Sequence, residues 1–160
     1  MMETTTAIGL KSNDTDHLAT QLNDLLANYQ IFYMNVRGFH WNIRGEKFFE
    51  LHAKFEELYT NALEKVDEIA ERILTLSHTP VHSFTDYIKM SAIKEATQIS
   101  DGLKAVEIIL NNFKVLIVKE REILKIASES DDEGTSSLMS DYIREQEKLV
   151  WMYSSYLSRK

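Results

Sequence analysis

Apolar residues recur at intervals of three and four along most of this chain, the spacing that lines one face of an α-helix. The first stripe is Leu18, Leu22, Leu25, Leu26, Tyr29, Phe32, Tyr33 and Val36. It predicts a helix over about Asp16 to Phe39, with Asn13 and Asp14 ahead of it as caps. A second stripe, from Phe48 and Leu51 through Val66 to Ile73, predicts a helix from near Glu46 to Ser77. Gly38 weakens the end of the first helix and Gly45 separates the two. His78-Thr79-Pro80 closes the second, because a residue before proline is pushed out of helical geometry. A third stripe follows Asp101 and runs from Leu103 to Ile126; a fourth helix spans about Ser136 to Leu157. Between those two, the polar run Ser128 to Gly134 reads as a loop. Ser83 to Lys89 predicts one or two helical turns inside the remaining connection.

The connection lengths turn four helices into a topology. The first and last joins are short, so the helices they connect should be antiparallel neighbours. The join from Ser77 to about Ser100 is long enough, at about 3.3 Å per extended residue, to retrace a whole helix. Two helical hairpins joined by one long crossover make the ferritin-like form of the four-helix bundle; the alternative, a plain up-down-up-down bundle, would leave that connection unexplained. The predicted fold is therefore all-α, with a short helix in the crossover between helices 2 and 3. Residues 1–160 read as a single domain, with 1–13 as a flexible lead.

Composition narrows the chemistry. The chain has 160 residues, one proline, five glycines and no cysteine, which excludes disulfides, thiolate metal sites and cysteine nucleophiles. Its N-terminus lacks the apolar stretch of a secretory signal, and no run of about 18 apolar residues offers a membrane span. The expected location is the cytoplasm. A net charge of −7 suits a protein that handles cations and argues against a nucleic-acid-binding surface.

Four residues carry the candidate metal chemistry. His40 ends the first helix, His52 begins the second, and Asp67 and Glu71 lie four apart, on one face, later in the second. Imidazole and carboxylate ligands suit iron and leave positions open for an oxidant. Taken singly, each also has a plainer reading: a solvated acidic face beside Lys65 and Arg72, a histidine at a packing edge, a cationic residue at a helix C-terminus. Geometry limits the shared site. Fifteen residues of continuous helix separate His52 from Asp67 by about 22 Å, whereas metal–ligand bonds are about 2 Å long. These residues share a metal only across two chains, as in a two-fold dimer with antiparallel second helices.

The run Phe39-His40-Trp41-Asn42-Ile43-Arg44-Gly45, then His52, then Asp67-Glu68-Ile69-Ala70-Glu71-Arg72, resembles the Dps family (DNA-binding protein from starved cells) over nearly the whole chain, including the crossover and Trp151 in the last helix. The resemblance implies His40 and His52 from one subunit and Asp67 and Glu71 from its two-fold partner as iron ligands. Glu56 stands where the family often has an aspartate, and its longer side chain ranks it below the four. It implies Trp41 as a candidate electron donor, a residue that could equally pack at the dimer interface. It further implies a ferroxidase that oxidises Fe(II), preferentially with hydrogen peroxide, and stores Fe(III) mineral inside a hollow dodecamer. Glu129, Asp131, Asp132 and Glu133 fall where the family's acidic iron channels lie, although such a run also suits a solvated loop.

The family's DNA binding is not expected here. The segment before the first helix has Lys11 as its only base, and Arg159 and Lys160 are the bases that follow the last. Two other readings stand beside the ferroxidase. One is a Dps-like bundle with a non-catalytic binding or surface role. The other, a haem-binding bacterioferritin, lacks its in-core Glu-x-x-His pairs.

Overall fold

The computed structural model describes residues 4–158. Their five helices are α1 (Ser12–Asn42), α2 (Phe48–Thr75), α3 (Phe84–Met90), α4 (Gly102–Glu129) and α5 (Glu133–Leu157). α1 packs on α2 and α4 on α5, α1 joins the two hairpins through α4, and α3 lies against α1. This is the ferritin-like bundle with a helix-bearing crossover that the connection lengths favour. Its core is built from Leu22, Tyr29, Phe32 and Phe39 of α1, Phe55 and Ile69 of α2, Ile109 and Phe113 of α4 and Met139 of α5, all buried. Each such side chain contributes roughly 1.5–3 kcal/mol by leaving water. No helix among the described residues is long and apolar enough to cross a membrane.

The helix ends depart from the sequence reading for local reasons. α1 starts at Ser12, so Asn13 and Asp14 lie inside its first turn, and Lys11 at the cap position makes no side-chain cap bond. Residues 4–11 of the expected flexible lead fold back, with Thr6 N donating to the Leu10 carbonyl and Ser12 N to that of Thr4. Residues 1–3, together with Arg159 and Lys160, lie outside the described residues. At its other end α1 runs through Gly38 to Asn42.

α2 stops before Pro80 can act. Ser77 adopts a left-handed φ of 67°, with Ser77 N bonded to the Leu74 carbonyl and His78 N to that of Ile73. That pair of bonds is a Schellman closure. The same device ends α4: Asp131 has φ 56°, and Asp132 N reaches back to the Ala127 carbonyl. Asp132 then caps α5 by accepting from Thr135 N. The acidic segment predicted as a seven-residue loop is thus a turn of Ser130, Asp131 and Asp132, with its flanks helical.

Asparagines of α1 dock the crossover. Asn28 Oδ1 accepts from the backbone of Ala92 and Ile93, Asn35 Oδ1 from Ala96 N, and Asn23 Oδ1 from Val81 N. Asn28 and Asn35 are buried, and their amides satisfy extended backbone that has no ladder of its own.

One ionisable group lies in the centre. Glu120 is fully buried, with Oε1 accepting from the Tyr29 hydroxyl at 2.5 Å and Gln146 Nε2 at 3.0 Å. Burial raises its pKa from 4.5 to about 7, against the lowering effect of those two bonds. An acid with a raised folded pKa binds its proton more tightly in the native state. Its ionisation therefore opposes folding, beginning above about 4.5 and complete only above about 7. Glu120→Gln should remove this slope: urea midpoints of the variant should fall less than wild type between about pH 5 and pH 8. Parallel midpoint curves would overturn the assignment.

Candidate metal centre

The turn of residues 43–47 brings the end of α1 back against the start of α2, with Gly45 at φ 116° making the reversal. His40, in the last turn of α1, therefore faces His52, early in α2. Their rings stack at 3.8 Å between centroids and 12° between planes. Each ring also bonds the other residue's backbone: His40 Nδ1 lies 2.6 Å from the His52 carbonyl, and His52 Nδ1 lies 2.7 Å from the His40 carbonyl.

This reciprocity assigns the tautomer. A carbonyl oxygen only accepts, so each Nδ1 must carry the hydrogen. In the neutral rings both Nε2 atoms then present lone pairs, the state in which imidazole binds metals. A backbone carbonyl on the second nitrogen is the usual way a metal-binding histidine is held in orientation. Packing fixes the rings further. Phe48 stacks on His52 at 4.9 Å, and Tyr59 meets His40 edge-on at 5.2 Å. His40 is buried and His52 half-buried.

The carboxylates are elsewhere. α2 is continuous from Phe48 to Thr75, so Asp67 stays about 22 Å from His52 along the axis. Among the described residues no three His, Asp or Glu side chains converge on a metal position within the chain. Glu56, Asp67 and Glu71 are all exposed. Lys65 and Arg72, the bases that would have screened an ordinary acidic face, are committed elsewhere. Lys65 Nζ bonds Asn61 Oδ1 and Glu145 Oε2, and Arg72 bonds Asp132 and Thr135. At about 100° per residue, His52, Glu56, Asp67 and Glu71 fall within about 100° of arc on α2. Leu63 and Leu74 share that arc and are 49% and 57% exposed. Large apolar side chains among unpaired acids suit a protein contact better than a solvated face.

Trp41 is 56% exposed and lies under the Arg37 guanidinium, 4.9 Å from the ring centroid. Arg37 also approaches Tyr33 and Tyr59, each at 5.7 Å. Of the acids assigned to a channel, Glu129, Asp131 and Glu133 are exposed, but Asp132 is buried in its cap and paired with Arg72 at 2.6 Å. Asp132 is withdrawn from that set, because its charge serves the fold. The sequence reading missed Glu120 altogether. It sits in register with Phe113, Leu116, Ile123 and Ala127, a position in the apolar stripe that periodicity exposes.

The ferritin-like domain family matches residues 19–160. A DNA protection during starvation protein of Porphyromonas gingivalis is 38% identical over 151 residues, covering 94% of this chain and 95% of its own. The chain belongs to the Dps family. Among solved Dps structures, that of Vibrio cholerae O1 is 56% identical with a TM-score of 0.96 over 99% of each chain. It is described as belonging to a broad superfamily of ferritin-like diiron-carboxylate proteins. A Dps protein from Bacillus brevis is 34% identical, with a TM-score of 0.89 over 93% of this chain and 100% of that one.

Proposed function

We propose that this protein is a Dps-type ferroxidase, whose substrates are Fe(II) and hydrogen peroxide and whose site is completed between two subunits. The observation that carries the reading is the histidine pair, each Nδ1 tied to a carbonyl and each Nε2 left for a metal. In this proposal His40 and His52 of one subunit bind iron with the partner's Asp67 and the partner's Glu71. An antiparallel two-fold pairing of α2 about a midpoint between Asn61 and Ala62 puts Glu56 level with the partner's Asp67 and His52 level with the partner's Glu71, since each pair is equidistant from that midpoint. Glu56 then lies at the side of the site nearer the two-fold axis, as an added ligand or as an acceptor that hands iron to the histidines. Leu63 and Leu74 leave water in the same contact.

Peroxide accepts two electrons, so two ferrous ions supply one reaction and the ferric product hydrolyses to mineral. The protein's part is to position the metal and hold oxygen and nitrogen ligands that favour the ferric state. A dodecameric shell enclosing that mineral, in the cytoplasm, completes the reading. Trp41 belongs to the same contact. A donor role for it has to work against the Arg37 cation, which opposes removal of an electron from the indole. We assign Trp41 first to packing.

The test is ferrous iron added anaerobically, followed by peroxide, with ferric formation read by absorbance. His52→Ala/Asp67→Ala should slow soluble ferric formation by roughly a hundredfold, since losing even a residue behind a ligand costs about 10–100-fold. Equal rates, or ferric precipitate in both proteins, would assign the histidines and acids a structural role and favour the non-catalytic bundle. DNA binding should be weak or absent at physiological salt and neutral pH, because the charge is −7 per chain and phosphate contact requires clustered bases. A metal-independent mobility shift in that buffer would overturn this.

A further inference from the structure

Every large apolar side chain that α2 leaves exposed lies on the arc that carries the candidate ligands. Leu63 and Leu74 are there, and so is Phe49, which is 84% exposed. Phe49 precedes Asp67 by eighteen residues, five full turns at about 100° per residue, so the two project from the same side of the helix. One chain leaves this phenyl ring almost wholly uncovered. Its ring contact is with Phe48, at 5.3 Å and 76°, and Phe48 in turn stacks on His52 at 4.9 Å. Phe49 therefore stands beside the histidine half of the iron site with nothing of its own fold to pack against.

The spacing of these apolar residues matches that of the ligands. Phe49 lies three residues outward of His52, and Leu74 lies three residues outward of Glu71, about 4.5 Å along the helix in each case. An antiparallel pairing that sets His52 level with the partner's Glu71 therefore sets Phe49 level with the partner's Leu74, just under one turn farther from the two-fold axis. The same axis, between Asn61 and Ala62, brings the two copies of Leu63 within about 5 Å of each other along its length. A register chosen for the metal ligands alone thus pairs the exposed apolar residues of α2 with one another. Exposed apolar side chains grouped in this way mark a protein contact.

We propose that Phe49 and the partner's Leu74 meet across the two-fold contact and close the outer end of the iron site to molecules bulkier than hydrogen peroxide. The proposal rests on the ferroxidase reading and adds to it the pair of residues that sets which oxidant reaches the metal. The Leu63 side chains fill the axis end, and His40 is buried on the α1 side. The outer end is the side left for a bulky molecule to enter. An apolar closure there also keeps bulk water away, since the apolar shell around a metal site controls solvent access and local dielectric. Phe49, seated against the partner, braces Phe48 on the His52 ring.

Within one chain Phe49 and Leu74 are about 37 Å apart along a continuous helix, so energetic coupling between them has to cross the interface. The first measurement is a double-mutant cycle on the assembled protein at one fixed concentration, with the urea midpoint of dissociation read by light scattering. Phe49→Ala and Leu74→Ala should each lower the midpoint, and the double variant should fall little further than either. Both side chains are exposed in the single chain, so its fold survives their loss. The second measurement is ferric formation with hydrogen peroxide and with the bulkier tert-butyl hydroperoxide. The ratio of the tert-butyl hydroperoxide rate to the peroxide rate should rise at least fivefold in each alanine variant. Phe49→Leu/Leu74→Phe, which exchanges the two side chains across the contact, should bring the ratio back toward wild type. Additive losses in the cycle, or an unchanged ratio in both alanine variants, would overturn the closure and leave the ferroxidase reading standing. No ferric formation in the wild-type chain with either oxidant would sink both.

Discussion

Two inactive chains should make an active protein when mixed. The first carries His40→Ala and His52→Ala, the second Asp67→Ala and Glu71→Ala. Alone, each lacks half of every proposed site, because α2 is one unbroken helix that keeps the histidine end about 22 Å from the acids. In a mixed two-fold dimer one site combines both altered halves and the other combines both intact halves. Random pairing makes half the dimers mixed, so about a quarter of wild-type peroxide-driven oxidation should return. The parents should stay near the uncatalysed rate. The expected contrast is larger than for a single ligand substitution and does not depend on Glu56 or Trp41. Mixed assembly must be demonstrated independently, by mass-tagging one chain. Proven mixed dimers with no recovered activity would refute the shared geometry even if each parent is inactive, because that pattern would require all four residues to act within one chain.

The parts of this molecule that were legible in its sequence are those governed by periodicity and by length. Helical stripes located α1, α2, α4 and α5 to within a few residues, and the 24-residue stretch 77–100 favoured a crossover over a plain up-down-up-down bundle. The errors share a cause. Ser77 and Asp131 take left-handed backbone without being glycine, so the closures of α2 and α4 carried no compositional signal, and Pro80 and the acid run drew attention away from them. The docking role of Asn28 and Asn35 carries no local signal, because their partners lie about 60 positions away. For the candidate site, residue types and order were readable, and so was the impossibility of closing it within one chain. The reciprocal His40–His52 bonds were not readable, since they depend on the angle of the turn at Gly45. Glu120 was visible in principle: an acid in an apolar stripe demands a partner, yet nothing in the order of residues says that the partner is Tyr29.

The turn between α4 and α5 should be the most sensitive surface feature of the fold. Asp132 has a side chain only 1% exposed and serves three donors: Arg72 at 2.6 Å, Thr135 N at 2.9 Å and Thr135 Oγ1 at 2.5 Å. Arg72 Nε adds a bond to Thr135 Oγ1 at 2.9 Å, so the guanidinium ties α2 to the first turn of α5 through both residues. Gly134 makes room for it, because a Cβ there would fall 2.8 Å from Arg72 Nη1. Arg72→Ala leaves a buried carboxylate with its two Thr135 bonds but no counter-charge. Breaking a buried pair from one side costs about 3–5 kcal/mol, and the surviving cap bonds place the expected loss near the lower end, about 3 kcal/mol. Arg72→Lys should restore only part of it, since an ammonium cannot reach Asp132 and Thr135 in the forked geometry. Arg72→Leu/Asp132→Asn should cost less than Arg72→Ala alone, because asparagine still caps α5 and no charge is stranded. The measurement is urea unfolding of all four proteins at one fixed protein concentration, since assembly contributes to apparent stability. A double variant no more stable than Arg72→Ala would mean that the guanidinium acts through its packing, not through the charge of Asp132.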